Sequence, residues 1–154
     1  MTNKKIFSVT IKHLNDESPD ISYLETDSEI NDDGTLNIIS SMRYSSKDVE
    51  LYGQQQVMQC IWQDLERLEN YGNTWYMMGI KASCEIGLKQ NKTSHLLQTL
   101  TSGGLWGIES DGDSDYFKET ETDQLNELKS VLKTFSFSNK AINKAFQTVK
   151  KEND

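Results

Sequence analysis

Alternating apolar and polar positions predict several strands in this chain. In the clearest stretch, every even position from Tyr76 to Leu88 is apolar. Successive side chains of a strand point to opposite faces, so this alternation indicates a strand with one buried face. Similar alternating stretches occur elsewhere in the chain, and turn sequences such as NDDG and KQNKTS separate them. Together they predict four strands and a shorter extended segment at residues 21–25. The four strands cover residues 5–14, 36–44, 75–88 and 95–101.

Apolar residues that recur every three or four positions predict three helices, at residues 48–71, 117–135 and 139–151. Gly72 directly follows the first and is a natural helix stop. We therefore predict an α+β fold, with an antiparallel sheet of four to five strands packed against two or three helices. Residues 1–137 form the predicted single domain. An amphipathic helix within residues 138–154 packs on that domain or extends from it.

Length and composition fit a folded, cytoplasmic protein. The chain has 154 residues, enough for one domain with a real core, and its 9% of aromatic residues is too high for a fully disordered chain. Cys60 and Cys84 form no CxxC or zinc-binding spacing, which favours free thiols in a reducing compartment. The chain shows no signal-peptide pattern and no run of about 20 apolar residues, so we expect no membrane association.

Charge is distributed unevenly along the sequence. The net charge is −8, yet residues 13–42 contain eight acidic residues and no lysine or arginine. Residues 109–127 contain eight more acidic residues against the single base Lys118, so the rest of the chain is net positive. Such segregation affects partner choice and association rate, and it argues against gripping a phosphate backbone through the acidic parts. An ordinary solvated surface would also account for both stretches.

The second acidic stretch follows a glycine pair, in the sequence GGLWGIESDGDSDYFKETE. Asp111, Asp113 and Asp115 have the spacing that begins a calcium loop, but Tyr116 and Thr122 stand where such a loop needs glycine and glutamate. A carboxylate pair for acid–base catalysis, such as Glu109 with Asp113, has no base clearly placed to assist it. The sequence therefore favours a protein without catalytic residues, metal or cofactor. The alternative is a divalent-metal-binding protein or metal-dependent hydrolase that uses the three aspartates.

Helix formation explains part of this acidic stretch. One of the residues at 113, 114 and 115 is expected to cap the following helix, and acids in a first helical turn are favoured by the unpaired amides there. This accounts for about three carboxylates. It leaves Glu121, Asp123 and Glu127 unexplained.

Three segments resemble a recurring family of small proteins encoded by bacteriophages, plasmids and other bacterial mobile elements. They are SYLE at residues 22–25, RLENYGNTWYMMGIKA at 67–82 and TSGGLWGIESDGDSDYFKETETDQLNELKSVLKTFSF at 101–137. The resemblance covers most of residues 5–137 and centres on the GGLWGIESD-type motif. Gly112 stands where the family more often has serine, and the tail from Ser138 lies outside the pattern. The resemblance implies an accessory protein in a bacterial cytoplasm, and it assigns no activity.

Charge and setting together predict a non-enzymatic accessory protein that binds a basic protein partner through an acidic face. The expected partner is a bacterial host protein with a nucleic-acid-binding surface, which the acidic face would occupy as an anti-CRISPR or anti-restriction inhibitor. Direct nucleic-acid binding through the basic C-terminal helix is a weaker alternative, and a homodimer is compatible with the sequence. The expected partner-binding residues are Glu109, Asp111, Asp113, Asp115, Glu119, Glu121, Asp123, Glu127, Asp16, Glu17, Asp20, Asp32 and Asp33.

Overall fold

Two alternating segments that are far apart in the sequence form the centre of the main sheet. In the computed structural model, which describes residues 3–90 and 92–153, strand β1 (Asn3–Asn15) pairs antiparallel with β4 (Met77–Gln90). The register places Val9 opposite Cys84 and Ile11 opposite Ala82. Because directly opposite residues share a face, these four side chains form one apolar surface, and each is at most 2% exposed.

Three further strands complete a five-stranded sheet. Strands β5 (Thr93–Thr101) and β6 (Leu105–Glu109) pair antiparallel with successive parts of β4, and β7 (Val149–Asn153) pairs with β1. The pairing of β7 with β1 is parallel, so the prediction of a purely antiparallel sheet is wrong for this one strand. Strand β7 begins beside Val9, in the middle of β1, and runs in the same direction as β1 as far as His13.

Two helices cover the apolar face of this sheet. Helix α3 (Ser114–Thr134) and helix α4 (Asn139–Ala145) contribute Leu128, Leu132 and Ile142, which are at most 1% exposed. These side chains belong to one apolar cluster with the inward residues of β1 and β4. The predicted α+β class, with a sheet backed by helices, is therefore confirmed.

The C-terminal segment differs from its prediction. The helix predicted over residues 139–151 ends at Ala145, and Val149–Asn153 form strand β7. Every residue of β7 is exposed, so no alternation of buried and exposed positions marks it as a strand in the sequence. Backbone pairing with the free edge of β1 outweighs the weak helical pattern of this segment.

Backbone contacts divide the chain into two compact units. The sheet unit comprises Met1–Glu17 and Met77–Asp154, and the hairpin unit comprises Ser18–Tyr76. The hairpin unit contains strands β2 (Thr26–Ile30) and β3 (Leu36–Ser41), followed by helices α1 (Ser46–Tyr52) and α2 (Gln54–Glu69). One apolar cluster of this unit consists of Leu36, Val57 and Ile61 with the partly buried residues around them, and Leu24 and Trp75 are also buried, at 1% and 2% exposure.

Several element boundaries in the hairpin unit also differ from prediction. The single helix predicted over residues 48–71 is two helices, since Gly53 adopts a φ of 85° that a continuous helix cannot contain. The predicted extended segment at residues 21–25 contains a 3-10 turn, Ser22–Leu24. Strand β2 and, in the sheet unit, strand β6 were not predicted. None of the helices in the described ranges combines the length and apolar character needed to cross a bilayer.

We expect Leu128→Ala to lower the free energy of unfolding by about 3 kcal/mol, because it removes a fully buried side chain and leaves a cavity. Urea unfolding measures this loss. The matched control is Leu96→Ala on β5, where the side chain is 60% exposed and the change should stay within about 0.5 kcal/mol. Equal effects of the two substitutions would contradict the packing described for α3.

Candidate functional site

Helix α3 carries a row of acidic side chains beside its buried face. Its buried polar and apolar residues recur every fourth position, at Thr120, Gln124, Leu128 and Leu132. The same four-residue spacing starting at residue 115 places a parallel row of carboxylates on the exposed side. We call this row the acidic stripe, and it consists of Asp115, Glu119, Asp123 and Glu127, all exposed.

The acidic stripe concentrates negative charge along one line. A helix rises 1.5 Å per residue, so neighbouring members are about 6 Å apart along the axis and the row extends about 18 Å. Like charges at this spacing repel by a few tenths of a kcal/mol per pair. Within the described chain, the side chains of Asp115, Glu119 and Asp123 form no hydrogen bond or ion pair. All three side chains therefore face solvent, and of the three only Asp115 lies in the first turn of α3, where the unpaired amides favour an acid.

Glu127, the last member of the stripe, also has a structural contact. Its Oε1 accepts a hydrogen bond of 2.8 Å from the backbone N–H of Gly103. Next to it, Gln124 Oε1 accepts from the Ser102 hydroxyl at 2.6 Å and from the Gly104 N–H at 2.9 Å. The glycine pair of the sequence motif is thus a turn between β5 and β6 that is fastened to α3. Gly104 adopts a φ of 81°, which explains glycine at that position.

Glu121 points away from the stripe and connects three elements of the sheet unit. Its Oε1 lies 2.6 Å from Nε2 of His13 on β1 and 2.7 Å from Nζ of Lys151 on β7. Partial burial acts to raise the pKa of Glu121, but the hydrogen bonds and charges of Lys151 and His13 outweigh it and lower the pKa below the ordinary 4.5. A carboxylate only accepts hydrogen bonds, so His13 Nε2 and Lys151 donate. We infer a structural role for Glu121.

Asp113 also has a structural role. It is the N-cap of α3 and accepts a hydrogen bond of 3.0 Å from the backbone N–H of Asp115. This confirms that the acidic loop supplies the helix cap expected from the sequence. Glu109 ends β6 and Asp111 lies in the turn after it, so both precede the helix rather than extend the stripe.

The acids of the first acidic stretch are divided between the two units. Asp16 and Glu17 follow β1 in the sheet unit, whereas Asp20, Asp32 and Asp33 belong to the hairpin unit. Hydrogen bonds from the side chain and backbone of Ser22 lower the pKa of Asp20, and those of Thr35 lower the pKa of Asp33. Both carboxylates are therefore engaged in local turns, while Asp32 is simply exposed in the hairpin turn.

The three aspartates of the metal alternative do not converge. Among residues 3–90 and 92–153, no group of three or more His, Cys, Asp and Glu side chains is arranged to hold a metal ion. Asp113 is directed to the start of α3 as its cap. Since alternate side chains of a calcium loop must point at one cation, this geometry does not favour metal binding at Asp111, Asp113 and Asp115.

Two features of the hairpin unit were not anticipated from the sequence. Buried Asp64 accepts hydrogen bonds from Arg43 at 2.7 Å and from the Tyr44 hydroxyl at 2.9 Å. Burial and this hydrogen bond raise the pKa of Tyr44 to about 12. In addition, Leu51 and Trp62 are 74% and 70% exposed. Exposed large apolar side chains of this kind are typical of binding surfaces, but the periodicity of α1 and α2 gave no sign of them.

Interpretation of the acidic stripe depends on its own residues, because no protein-family model, curated protein or solved structure matches the chain. A row of exposed carboxylates on one helix can accept hydrogen bonds from lysine and arginine side chains. The arrangement is therefore suited to recognition of a cationic surface.

We expect Glu121→Gln to destabilise the protein by about 1.5 kcal/mol at pH 7, because it weakens hydrogen bonds that a charged acceptor strengthens. The folded-state pKa of Glu121 lies below its ordinary value of 4.5. The stabilisation is therefore fully present above about pH 4.5 and is lost as the pH falls through the folded-state pKa. Urea unfolding from pH 7 to pH 3 should show the wild type and the variant converging at the acidic end.

Glu119→Gln is the matched control, since Glu119 is one turn N-terminal to Asp123 on the same helix and makes no hydrogen bond within the described chain. It should change the free energy of unfolding by less than about 0.5 kcal/mol at every pH. A constant difference between the wild type and Glu121→Gln across the whole pH range would contradict the assigned role of the Glu121 charge.

Proposed function

We propose that this protein is a non-enzymatic binding protein whose acidic stripe docks on a basic surface of a protein partner. The observation that carries the proposal is the row of Asp115, Glu119 and Asp123, which are exposed and have no partner within the described chain. Their mutual repulsion costs free energy in the isolated protein. A cationic partner would remove that cost and add charge-assisted hydrogen bonds.

Other acidic residues between 109 and 127 have structural contacts, which supports the choice of Asp115, Glu119 and Asp123 as the binding residues. Asp113 caps the helix, Glu121 joins β1 to β7, and Glu127 binds the turn at Gly103. Folding therefore accounts for those carboxylates, and the first turn of α3 favours an acid at Asp115. The side chains of Glu119 and Asp123 make no contact that would stabilise the described chain. Surface charge of one sign accelerates association with an oppositely charged partner, and this effect decreases as salt increases.

The partner that fits this chemistry is a bacterial host protein that normally binds nucleic acid. A DNA strand presents one negative charge per 3.4 Å of helix axis, so the free part of the stripe, residues 115–123, extends about 12 Å and spans roughly three to four phosphates. The charge density is lower than that of DNA, yet lysine and arginine side chains have enough reach to meet it. The resemblance to mobile-element proteins supports a target in host defence, where such a protein would act as an anti-CRISPR or anti-restriction inhibitor.

Neutralising the free part of the stripe tests this proposal. The triple variant Asp115→Asn, Glu119→Gln and Asp123→Asn should fold normally, because these side chains make no hydrogen bond or ion pair within the described chain. We expect the wild type to capture a discrete host protein from bacterial lysate at low salt and to lose it at about 0.5 M salt, where exposed charges are strongly screened. The triple variant should bind the captured protein with an association rate about tenfold lower.

The matched control removes three exposed acids outside the stripe, Glu50 on α1 and both Glu66 and Glu69 on α2. The combined substitutions Glu50→Gln, Glu66→Gln and Glu69→Gln remove the same amount of negative charge as the triple stripe variant and leave the stripe intact. This control should keep wild-type capture. Capture that is insensitive to salt, or equal loss in the control and the stripe variant, would exclude the acidic stripe as the binding surface.

A further inference from the structure

A basic pocket opens at the edge of β1, in a protein whose net charge is −8. It has a volume of about 390 Å³ and is lined by β1, α4 and the start of β7. We define the lysine pocket by the four lysines that line it, and no acidic side chain lines it with them. The four are Lys4, Lys5, Lys144 and Lys150.

Sheet topology explains why this pocket exists. Strand β7 pairs only with Val9–His13 of β1, so within the described chain the part of β1 from Lys4 to Ser8 has no strand beside it on that edge. Helix α4 and Thr148 border the space that remains. The pocket is thus a consequence of the short C-terminal strand rather than a loose fit between helices.

Two of the four lysine side chains already contact other groups of the described chain, and two do not. Lys4 donates a hydrogen bond of 2.8 Å to the Phe135 carbonyl, and Lys5 Nζ lies 5.6 Å from the centre of the Phe7 ring. Lys144 and Lys150 form no hydrogen bond or ion pair with residues the structure describes. Four lysines and no acidic side chain line the concavity, so its border is positively charged and an anionic ligand would be attracted to it.

The wall of the lysine pocket is apolar. Phe7, Ala141 and Ala145 contribute its accessible apolar surface, whereas Ile6 and Val9 are already buried, at 8% and 1% exposure. Ser8 lies at the border, where its hydroxyl is hydrogen-bonded to Glu85 of β4 at 3.3 Å. A concave site of a few hundred Å³ with apolar walls and a few charged groups is typical of small-molecule binding.

From this combination we propose that the lysine pocket binds a small phosphorylated organic anion of the nucleotide class. The phosphates would lie against the ammonium groups of Lys144 and Lys150, where they are free to donate hydrogen bonds. Phe7, Ala141 and Ala145 would contact the organic part of the ligand. A volume of about 390 Å³ favours a compact ligand over a polymer, and the site is independent of the acidic stripe.

Calorimetric titration of the full chain with ATP, inorganic pyrophosphate and adenosine tests this proposal. We expect ATP to bind, pyrophosphate to bind more weakly and adenosine not to bind, because phosphate charge supplies the attraction and the apolar wall adds affinity. Lys144→Gln should weaken ATP binding about tenfold, as loss of one charge-assisted hydrogen bond predicts. ATP should also raise the melting temperature of the wild type.

The matched control is Lys140→Gln, which removes the same charge from the same helix at a position that does not line the pocket. It should leave ATP affinity within about twofold of wild type, because salt screens a charge that lies outside the pocket. Unchanged melting temperatures of both variants without ligand would show that each one folds. An equal loss of ATP affinity in the two variants would show that ATP responds only to the overall charge of the protein, and it would overturn the proposal.

Two further binding experiments distinguish a small-molecule site in the lysine pocket from a surface that binds anionic polymers. A single-stranded oligonucleotide or an oligo-glutamate peptide that binds while ATP and pyrophosphate do not would overturn the small-molecule proposal. The proposal would be supported if ATP displaced either polymer from the wild type and from Lys140→Gln but not from Lys144→Gln.

Discussion

The antiparallel pairing of β1 with β4 is the interaction on which the sheet unit depends. It joins the first strand of the chain to a segment after the hairpin unit, and every other strand of the main sheet pairs with one of these two. The same pairing creates the apolar face that α3 and α4 cover. It also leaves the outer edge of β1 free for β7 and for the lysine pocket. Both candidate surfaces of the sheet unit are therefore consequences of one register.

Electrostatic contacts then determine which charged residues are available for binding. Glu121 connects α3 with His13 of β1 and Lys151 of β7, so the acidic helix is held to the sheet by charge as well as by its buried leucines. Carboxylates that act in this way are not free for a partner. The remaining row on α3 and the unpaired lysines of α4 and β7 are opposite in sign. One compact unit can therefore present two surfaces with different ligand chemistry.

The periodicity of apolar residues predicts much of this fold, and the elements that it does not predict have physical causes. Strand β4 was predicted because its apolar residues recur at every second position, and helix α3 because its apolar residues recur every three or four positions. Strand β7 was missed because all its side chains are exposed, and the helix break at Gly53 depends on one backbone angle. For the site, spacing alone could reveal the acidic stripe. The pairing of Glu121 with His13 required the three-dimensional structure, since no local pattern joins residues so distant in the chain.

The central functional claim is that a basic partner recognises the exposed acidic row of α3. Hydrogen–deuterium exchange of the purified complex with the captured host protein would test it most directly. The account predicts that new protection is concentrated at residues 114–127 and disappears when the complex is transferred to about 0.5 M salt. Protection confined to other segments, or protection at α3 that persists at high salt, would contradict an electrostatic interface on this helix.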